Sequence, residues 1–433
     1  MTQTDAGLQT EPAPMDRPSL AELTRVFGRI GVLSFGGPAA QIALMHRELV
    51  DARGWLSERQ FLGALSFCML LPGPEAMQLC TYAGWRLRGV AGGVIAGALF
   101  VLPGAAVIMA LALLYMRFGA QPVVQDAFLG IKAAVVVIVV QALLRVAGKA
   151  LKGAVAWALA AAGFVALFAF SVPFPVVIAA AALIGALTAA AADAPPSPPP
   201  PVRHAATLRS VLVLAALWAL PLAAAWAVDA ELMLAIGLFF SKLAVVTFGG
   251  AYAVLAYMTQ EVVQSQGWLT AAQMIDALGL AETTPGPLIL VTQFVGALAG
   301  GAVGGWPGAL LGAAMTLWVT FVPCFLWIFA GAPYLDWITR QPRLRGALDG
   351  ITAAVVGVIA NLSLWFAAHV AFGEIGRVTT GPLTVIAPDL ASLDLRALAL
   401  TALAAALLFW RGLGLPLVLA ALAIAGLALG ALG

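Results

Sequence analysis

Charge is what this chain has least of. Only 10% of its 433 residues are Asp, Glu, Lys or Arg, against 62% hydrophobic, and mean hydropathy is +1.01. Soluble globules carry about 25% charged residues, so that class is excluded. A net charge of +2 gives no footing for a nucleic-acid partner. Cysteine is nearly as scarce. Cys68, Cys80 and Cys324 fit no zinc or iron–sulfur spacing, and three cannot all pair internally. His46, His204 and His369 lack a second ligand at metal spacing, so no metal site and no cofactor is expected. There is no GxxxxGK[ST] loop to hold a nucleotide, and no flavin or dinucleotide motif. Residues 1–19 carry Asp5, Glu11 and Asp16 and lack the basic start of a signal peptide. They read as a disordered cytoplasmic tail.

What remains is long apolar runs. Runs of 18 or more residues recur from end to end, each able to cross about 30 Å of hydrocarbon as a helix. They lack the alternation of a membrane barrel. The expected fold is an all-α polytopic membrane protein of about 12–13 spans in a lipid bilayer. Six candidate spans, beginning with 20–45 and 60–83, fill 20–192. A Pro-rich linker, 193–207, cannot be helical. A connecting span covers 208–228. Six more spans, beginning with 232–257 and 273–296, fill 229–433.

The second region repeats the first. Residues 34–74 match 247–287 without a gap at an offset of 213, with 17 of 41 positions identical. Phe35-Gly36-Gly37 falls on Phe248-Gly249-Gly250, Gly54-Trp55-Leu56 on Gly267-Trp268-Leu269, and Pro72-Gly73-Pro74 on Pro285-Gly286-Pro287. Gly130-Ile131 and the apolar run after it recur at Gly350-Ile351. Each half therefore reads as one copy of a whole structural unit. Seven spans separate equivalent positions, and an odd number inverts the second copy. With the N-terminus cytoplasmic, Lys and Arg gather on the inner loops. The exception is 46–59, where Arg47, Arg53 and Arg59 sit on an expected outer loop. This count holds only if 60–83 crosses rather than dipping in and returning.

The unusual backbone carries the chemistry. Pro-Gly-Pro breaks a membrane helix, and Phe-Gly-Gly loosens one. Broken backbone at that depth survives only inside protein or beside a wet cavity. A break also exposes the positive end of the next half-helix, which suits an anion. A kink that merely shapes packing is the other reading, weakened by the matched places in both halves. Arg29 and Lys242 lie inside spans at the same offset of 213, and a buried cation is costly enough to need a role. Together with Gly36, Gly37, Gly249, Gly250 and the two Pro-Gly-Pro breaks they are the candidate site for a small dianion. Gln78, Thr283 and Thr284 are candidate hydrogen-bond donors to it. Glu75 and Glu282 adjoin the breaks and are candidate proton carriers, with helix capping the alternative. Glu48, Glu261, Trp55 and Trp268 are matched loop residues read as structural, the tryptophans as interfacial anchors. No catalytic residue is assigned.

These residues resemble the chromate ion transporter (CHR) family. The likeness rests on Phe-Gly-Gly-Pro followed by His46 and Glu48, then Trp55, Pro-Gly-Pro, Gln78, Gly84, Gly89, Gly92-Gly93 and Pro103. In the second half it rests on Lys242, Phe-Gly-Gly-Ala-Tyr, Glu261, Trp268, Pro-Gly-Pro and Phe294-Val295-Gly296. The resemblance implies efflux of chromate across the bacterial inner membrane, with sulfate as a related oxyanion and the proton motive force as energy source. Its long members have two homologous halves; a second copy of the chain is an admissible partner. The halves depart from each other before Pro-Gly-Pro, at Leu70-Leu71 against Thr283-Thr284. Sulfate transport, a membrane-embedded reductase or lipid-phosphate hydrolase, and a membrane scaffold are the rivals. The enzyme is disfavoured because no soluble domain, flavin or dinucleotide motif, or catalytic constellation is visible, and a scaffold gives no reason for two matched cations within spans.

Overall fold

The computed structural model describes residues 18–189, 204–248, 250–381 and 383–432. Residues 1–17 of the expected N-terminal tail, most of the Pro-rich linker and Gly249 lie outside the described residues.

The expected spans 20–45 and 60–83 are each broken in two. Residues 20–45 become α1 (Leu20–Leu33) and α2 (Gly37–His46), the latter extended by a wider π-type turn, Arg47–Asp51. Residues 60–83 become α3 (Glu58–Cys68) and the start of α4 (Glu75–Phe118). Ser57 starts α3 with a capping box, and Pro72-Gly73-Pro74 separates it from α4. α5 (Pro122–Ala150), α6 (Ala154–Phe168) and α7 (Phe174–Thr188) follow, then α8 (His204–Ala227).

The second half begins with the same order of short, broken helices. α9 (Glu231–Val246), α10 (Ala251–Thr259) with its own π-type turn at Gln260–Ser265, and α11 (Ala271–Glu282) break where α1 to α3 do. A 3-10 turn, Leu288–Leu290, leads into α12 (Val291–Gly331). A short α13 (Leu335–Ile338) precedes α14 (Pro342–Ala371), α15 (Leu395–Ala405) and α16 (Leu415–Leu432). Between α14 and α15 an antiparallel hairpin, β1 (Ile375–Thr380) and β2 (Leu383–Pro388), turns at Gly381. Thr384 N–H donates to Ala169 O at 2.8 Å, fastening the hairpin to the α6–α7 loop. This β-branched stretch was not expected to be a strand in an all-α chain.

The broken helices double back instead of continuing. Phe239 in α9 and Tyr257 in α10 hold their rings 5.5 Å apart. Were α10 to run on from α9, 18 residues at about 1.5 Å each would separate them. In the first half, Met45 of α2 touches Cys80 of α4, sulfur to sulfur at 3.1 Å. α4 itself reverses at Gly89 (φ 64, ψ −155) and α12 at Gly305 (φ 58, ψ −145). Gly84 then lies against Gly92, and Gly300 against Gly308, so closely that a Cβ on any of the four would strike the facing backbone. Only glycine allows both the turn and the approach.

Among the described residues, six helices are long and apolar enough to cross a membrane, and three shorter apolar ones accompany them. The chain is thus a multi-pass membrane protein whose remaining helices, α1 to α3 and α9 to α11, are short. The two halves exchange partners. α5 packs on α15 and α16, while α14 packs on α6 and α7. Small residues make the crossings tight: Gly130 meets the backbone of Leu422, and Gly357 that of Ala160.

Candidate functional site

Four helix breaks meet at one place. Gly73 N–H, in the first Pro-Gly-Pro, donates to Thr247 O at 3.0 Å. Gly286 N–H, in the second, donates to Ser34 O at 2.8 Å. Thr247 and Ser34 are equivalent at the offset of 213, and so are Gly73 and Gly286. Each Pro-Gly-Pro break is therefore held by the Phe-Gly-Gly break of the other half, through the same atoms. The supports match too: Ser34 Oγ donates to Ile30 O at 2.6 Å, and Thr247 Oγ1 to Leu243 O. Positive φ at Gly36 (87°), Gly37 (79°), Gly73 (119°), Gly250 (97°) and Gly286 (87°) makes these reversals.

A small cavity lies at this junction. Pro38, Ala76, Ala251 and Leu288 line it, each within the first two residues of its helical segment. Four helix starts thus border one space, and the positive dipole end of a helix start favours an anion. Glu75, Gln41 and Thr247 also line it. Gln41 is asymmetric, since its counterpart is Val254. Its Nε2 donates to Gly286 O at 2.6 Å and to Ser34 O at 3.3 Å, so one buried amide bridges both sides of a junction.

The expected site residues divide. Gly73, Pro74, Gly250 and Pro287 line the cavity, with Glu75. Pro72, Pro285 and Gly286 belong to the same breaks. Arg29 and Lys242 do not come into the cavity and are exposed on α1 and α9, where burial was expected. The reason is the reversal. Each short helix packs one face inward and leaves the other open, and these positions lie on the open face. Lys242 sits 5.7 Å from the Tyr257 ring. Gln78 donates to Pro72 O at 2.7 Å, Thr283 to Leu280 O at 2.7 Å and Thr284 to Ala281 O at 2.8 Å. These three donors hold the breaks themselves. Glu282 is buried and accepts from Tyr252 Oη at 2.8 Å.

Glu48 and Glu261 hold their loops by matched contacts. Arg53 Nη1 meets Glu48 Oε2 at 2.5 Å, and at the equivalent position Gln266 Nε2 donates to Glu261 at 3.0 Å. Trp55 is buried within the fold, with Arg53 over its ring at 5.7 Å, and Trp268 packs on Phe239.

Comparing the halves missed what the halves do not share. Gln41 has no counterpart amide. Lys132 and Asp276 have none either: Asp276 falls on Gly63 and Lys132 on Thr352. Yet Asp276 is fully buried, Lys132 Nζ lies 3.4 Å from its Oδ1, and Tyr115 Oη donates to its Oδ2 at 2.8 Å. The signal available was charge within an apolar span.

The chromate transporter family model matches residues 21–186 and 234–427. A chromate transport protein of Pseudomonas aeruginosa is 33% identical over 401 residues, covering 90% of each chain. One from Cupriavidus metallidurans is 31% identical over 79% of this chain and 81% of its own. A probable chromate transport protein of Synechococcus elongatus is 30% identical over 83% and 87%. No solved structure matches. With both halves of the chain matched, this protein belongs to the chromate transporter family.

Proposed function

We propose that the chain exports chromate across the bacterial inner membrane by alternating access, and that the junction of the four breaks is where the oxyanion binds. The carrying observation is the reciprocal pair of backbone bonds, Gly73 to Thr247 and Gly286 to Ser34. A junction made from both halves opens when one half moves against the other. It also supplies helix-start donors from all sides, as a tetrahedral dianion requires.

The two halves are inverted in this reading. Arg88 Nε donates to Pro18 O at 2.5 Å, so the reversal of α4 sits at the face where α1 starts. Among the described residues, five apolar helices lie between that reversal and α9: the rest of α4, then α5, α6, α7 and α8. Five is odd, so α9 starts from the opposite face. The 46–59 loop then returns to the N-terminal face. Its three arginines join the other inner cations, which removes the exception to the charge rule. Reporters fused after Gly54 and after Gly267 are expected on opposite sides; the same side for both would end the inversion.

The membrane potential pushes a dianion outward. At about 2.3 kcal/mol per charge per 100 mV, two charges gain about 4.6 kcal/mol per 100 mV, inside negative. Glu75 stands in the cavity and repels a dianion unless it is protonated, which ties oxyanion binding to a proton there; Glu282 is the second carrier. Arg29 and Lys242, on open faces a turn or more before the breaks, attract the anion toward the junction. Arg29→Ala and Lys242→Ala are expected to lower chromate flux into inverted vesicles by at least tenfold, about 1.4 kcal/mol, with insertion intact. Wild-type flux in both variants removes them from the path. Labelled sulfate in the same vesicles separates the two oxyanions. Absence of chromate accumulation in wild-type vesicles rejects export, and chromium recovered as Cr(III) points to reduction instead.

A further inference from the structure

We propose that Asp276, held by Lys132 and Tyr115, is a proton-exchange site that latches α11 to α5 and is reached from an open cavity beneath the α14–α15 connection. This deepens the transport reading and rests on it.

Asp276 lies on the buried face of α11, six residues before the break that begins after Glu282. It is fully enclosed. Both of its oxygens have neighbours on other helices: Lys132 Nζ from α5 at 3.4 Å and Tyr115 Oη from α4 at 2.8 Å. The Tyr115 ring is fixed edge-on by Phe128 and by Phe294, each at 5.5 Å. Lys132 and Tyr115 are the titratable groups that act on Asp276. Among the described residues, α12 and α14, which also pack on α11, bring no further charged group to it. A buried ion pair is a poor source of stability, because desolvation offsets the attraction. Its presence inside an apolar interface calls for a function.

Lys132 faces two ways. Its other surroundings are an open cavity that it lines together with His369, Asp394 and Arg396. His369 Nδ1 lies 2.8 Å from Trp365 O. A carbonyl only accepts, so Nδ1 carries a proton and the neutral ring offers Nε2 as acceptor. His369 and Lys132 line the open cavity and Lys132 adjoins Asp276, so a proton taken up from solvent there has a route to a carboxylate that is otherwise sealed. When Asp276 is protonated, its attraction to Lys132 falls, and α11 is freed from α5. α11 carries Thr283, Thr284 and the second Pro-Gly-Pro break at its end. Loosening it loosens the junction where Gly286 meets Ser34. Proton exchange at Asp276 thus sets when that side of the junction moves.

The pair is absent from the repeat: Gly63 and Thr352 occupy the equivalent places. One half alone is latched this way, so the proton acts on one of the two gates.

The test uses the full chain in proteoliposomes. Asp276→Asn alone leaves Lys132 unpaired and risks misfolding, so the principal variant is Lys132→Met with Asp276→Asn, which removes both charges. Labelled chromate is followed as net flux between about pH 5 and about pH 8, and as chromate–chromate counterflow at fixed pH. The expected result is a net flux whose pH dependence is weaker in the double variant than in wild type, the share owed to Glu75 and Glu282 remaining, with counterflow within about threefold of wild type. Asp276→Glu is expected to restore the pH dependence. A wild-type pH profile in the double variant overturns the proposal. Infrared difference spectra over the same pH range, with no chromate present, read the carboxyl directly. A protonated-carboxyl band lost in the double variant supports the site; identical spectra in wild type and double variant overturn it. If the wild type carries no chromate but the band is present, the transport reading fails and the exchange site stands.

Discussion

Gly73→Ala is expected to lower chromate flux at least a hundredfold while the protein still inserts, and Gly286→Ala to follow with a smaller loss. Both residues hold positive φ, 119° at Gly73 and 87° at Gly286, where a Cβ is strained by about 1–3 kcal/mol. Space differs between them. A Cβ on Gly73 comes 2.9 Å from Gln78 Nε2 and 3.0 Å from Cys324 Sγ. On Gly286 the nearest atoms are Leu290 Cδ1 at 3.2 Å and Phe100 O at 3.3 Å. Relief of the clash at Gly73 must move either the break or Gln78, whose amide holds Pro72 O. Either shift draws Gly73 N–H away from Thr247 O, and a buried donor left unmet costs about 1–3 kcal/mol. The sum, about 2–6 kcal/mol, matches or exceeds the few kcal/mol that separate the conformers of an alternating transporter. Gly54→Ala is the control. It shares the positive φ (60°), but nothing lies within 4 Å of its Cβ. Flux is measured in inverted vesicles at matched protein level. Equal flux in Gly73→Ala and Gly54→Ala would mean that strain alone matters and that the junction does not govern transport.

The sequence made the breaks visible and hid their geometry. Proline and glycine announce a lost helical hydrogen bond locally, so Pro72-Gly73-Pro74 and Pro285-Gly286-Pro287 were legible as interruptions. Whether a chain continues or reverses after an interruption depends on what it packs against. Residues 20–45 have the length and apolarity of a crossing helix, yet α1 and α2 double back, because α4 receives both of them. That reversal also explains Arg29 and Lys242. Placed by an uninterrupted helix they would be buried near mid-membrane; on short returning helices they lie on an open face. The matched contacts Arg53–Glu48 and Gln266–Glu261 were foreshadowed by the repeat, since equivalent positions kept equivalent work. Gln41 and the Lys132–Asp276 pair were not, because a search for symmetry passes over whatever only one half possesses.

Gly357→Leu is expected to prevent accumulation of a monodisperse protein. Gly357 lies in α14 where that helix crosses α6, and a Cβ there would meet the carbonyl of Ala160 and come 2.7 Å from Phe164 N. Both obstacles are backbone, so no side-chain rotation relieves them. Overpacking commonly costs about 1–3 kcal/mol where side chains can yield, and more where they cannot. The alternative is for α14 to withdraw from α6. In a chain whose halves were separate bundles that would be a local defect. Here α14 belongs to the second half, and α6 and α7 to the first, so withdrawal parts the halves. α5, which packs on α14 as well as on α15 and α16, loses its support in the same step. Gly148→Leu in α5, where nothing lies within 4 Å of a Cβ, is expected to behave as wild type. Size-exclusion profiles and thermal midpoints in detergent compare the two. A Gly357→Leu protein as monodisperse and as heat-resistant as Gly148→Leu would show that the exchanged helices are not what joins the halves. The packing of α4 on α12, with the two backbone bonds of the junction, would then be what holds them together.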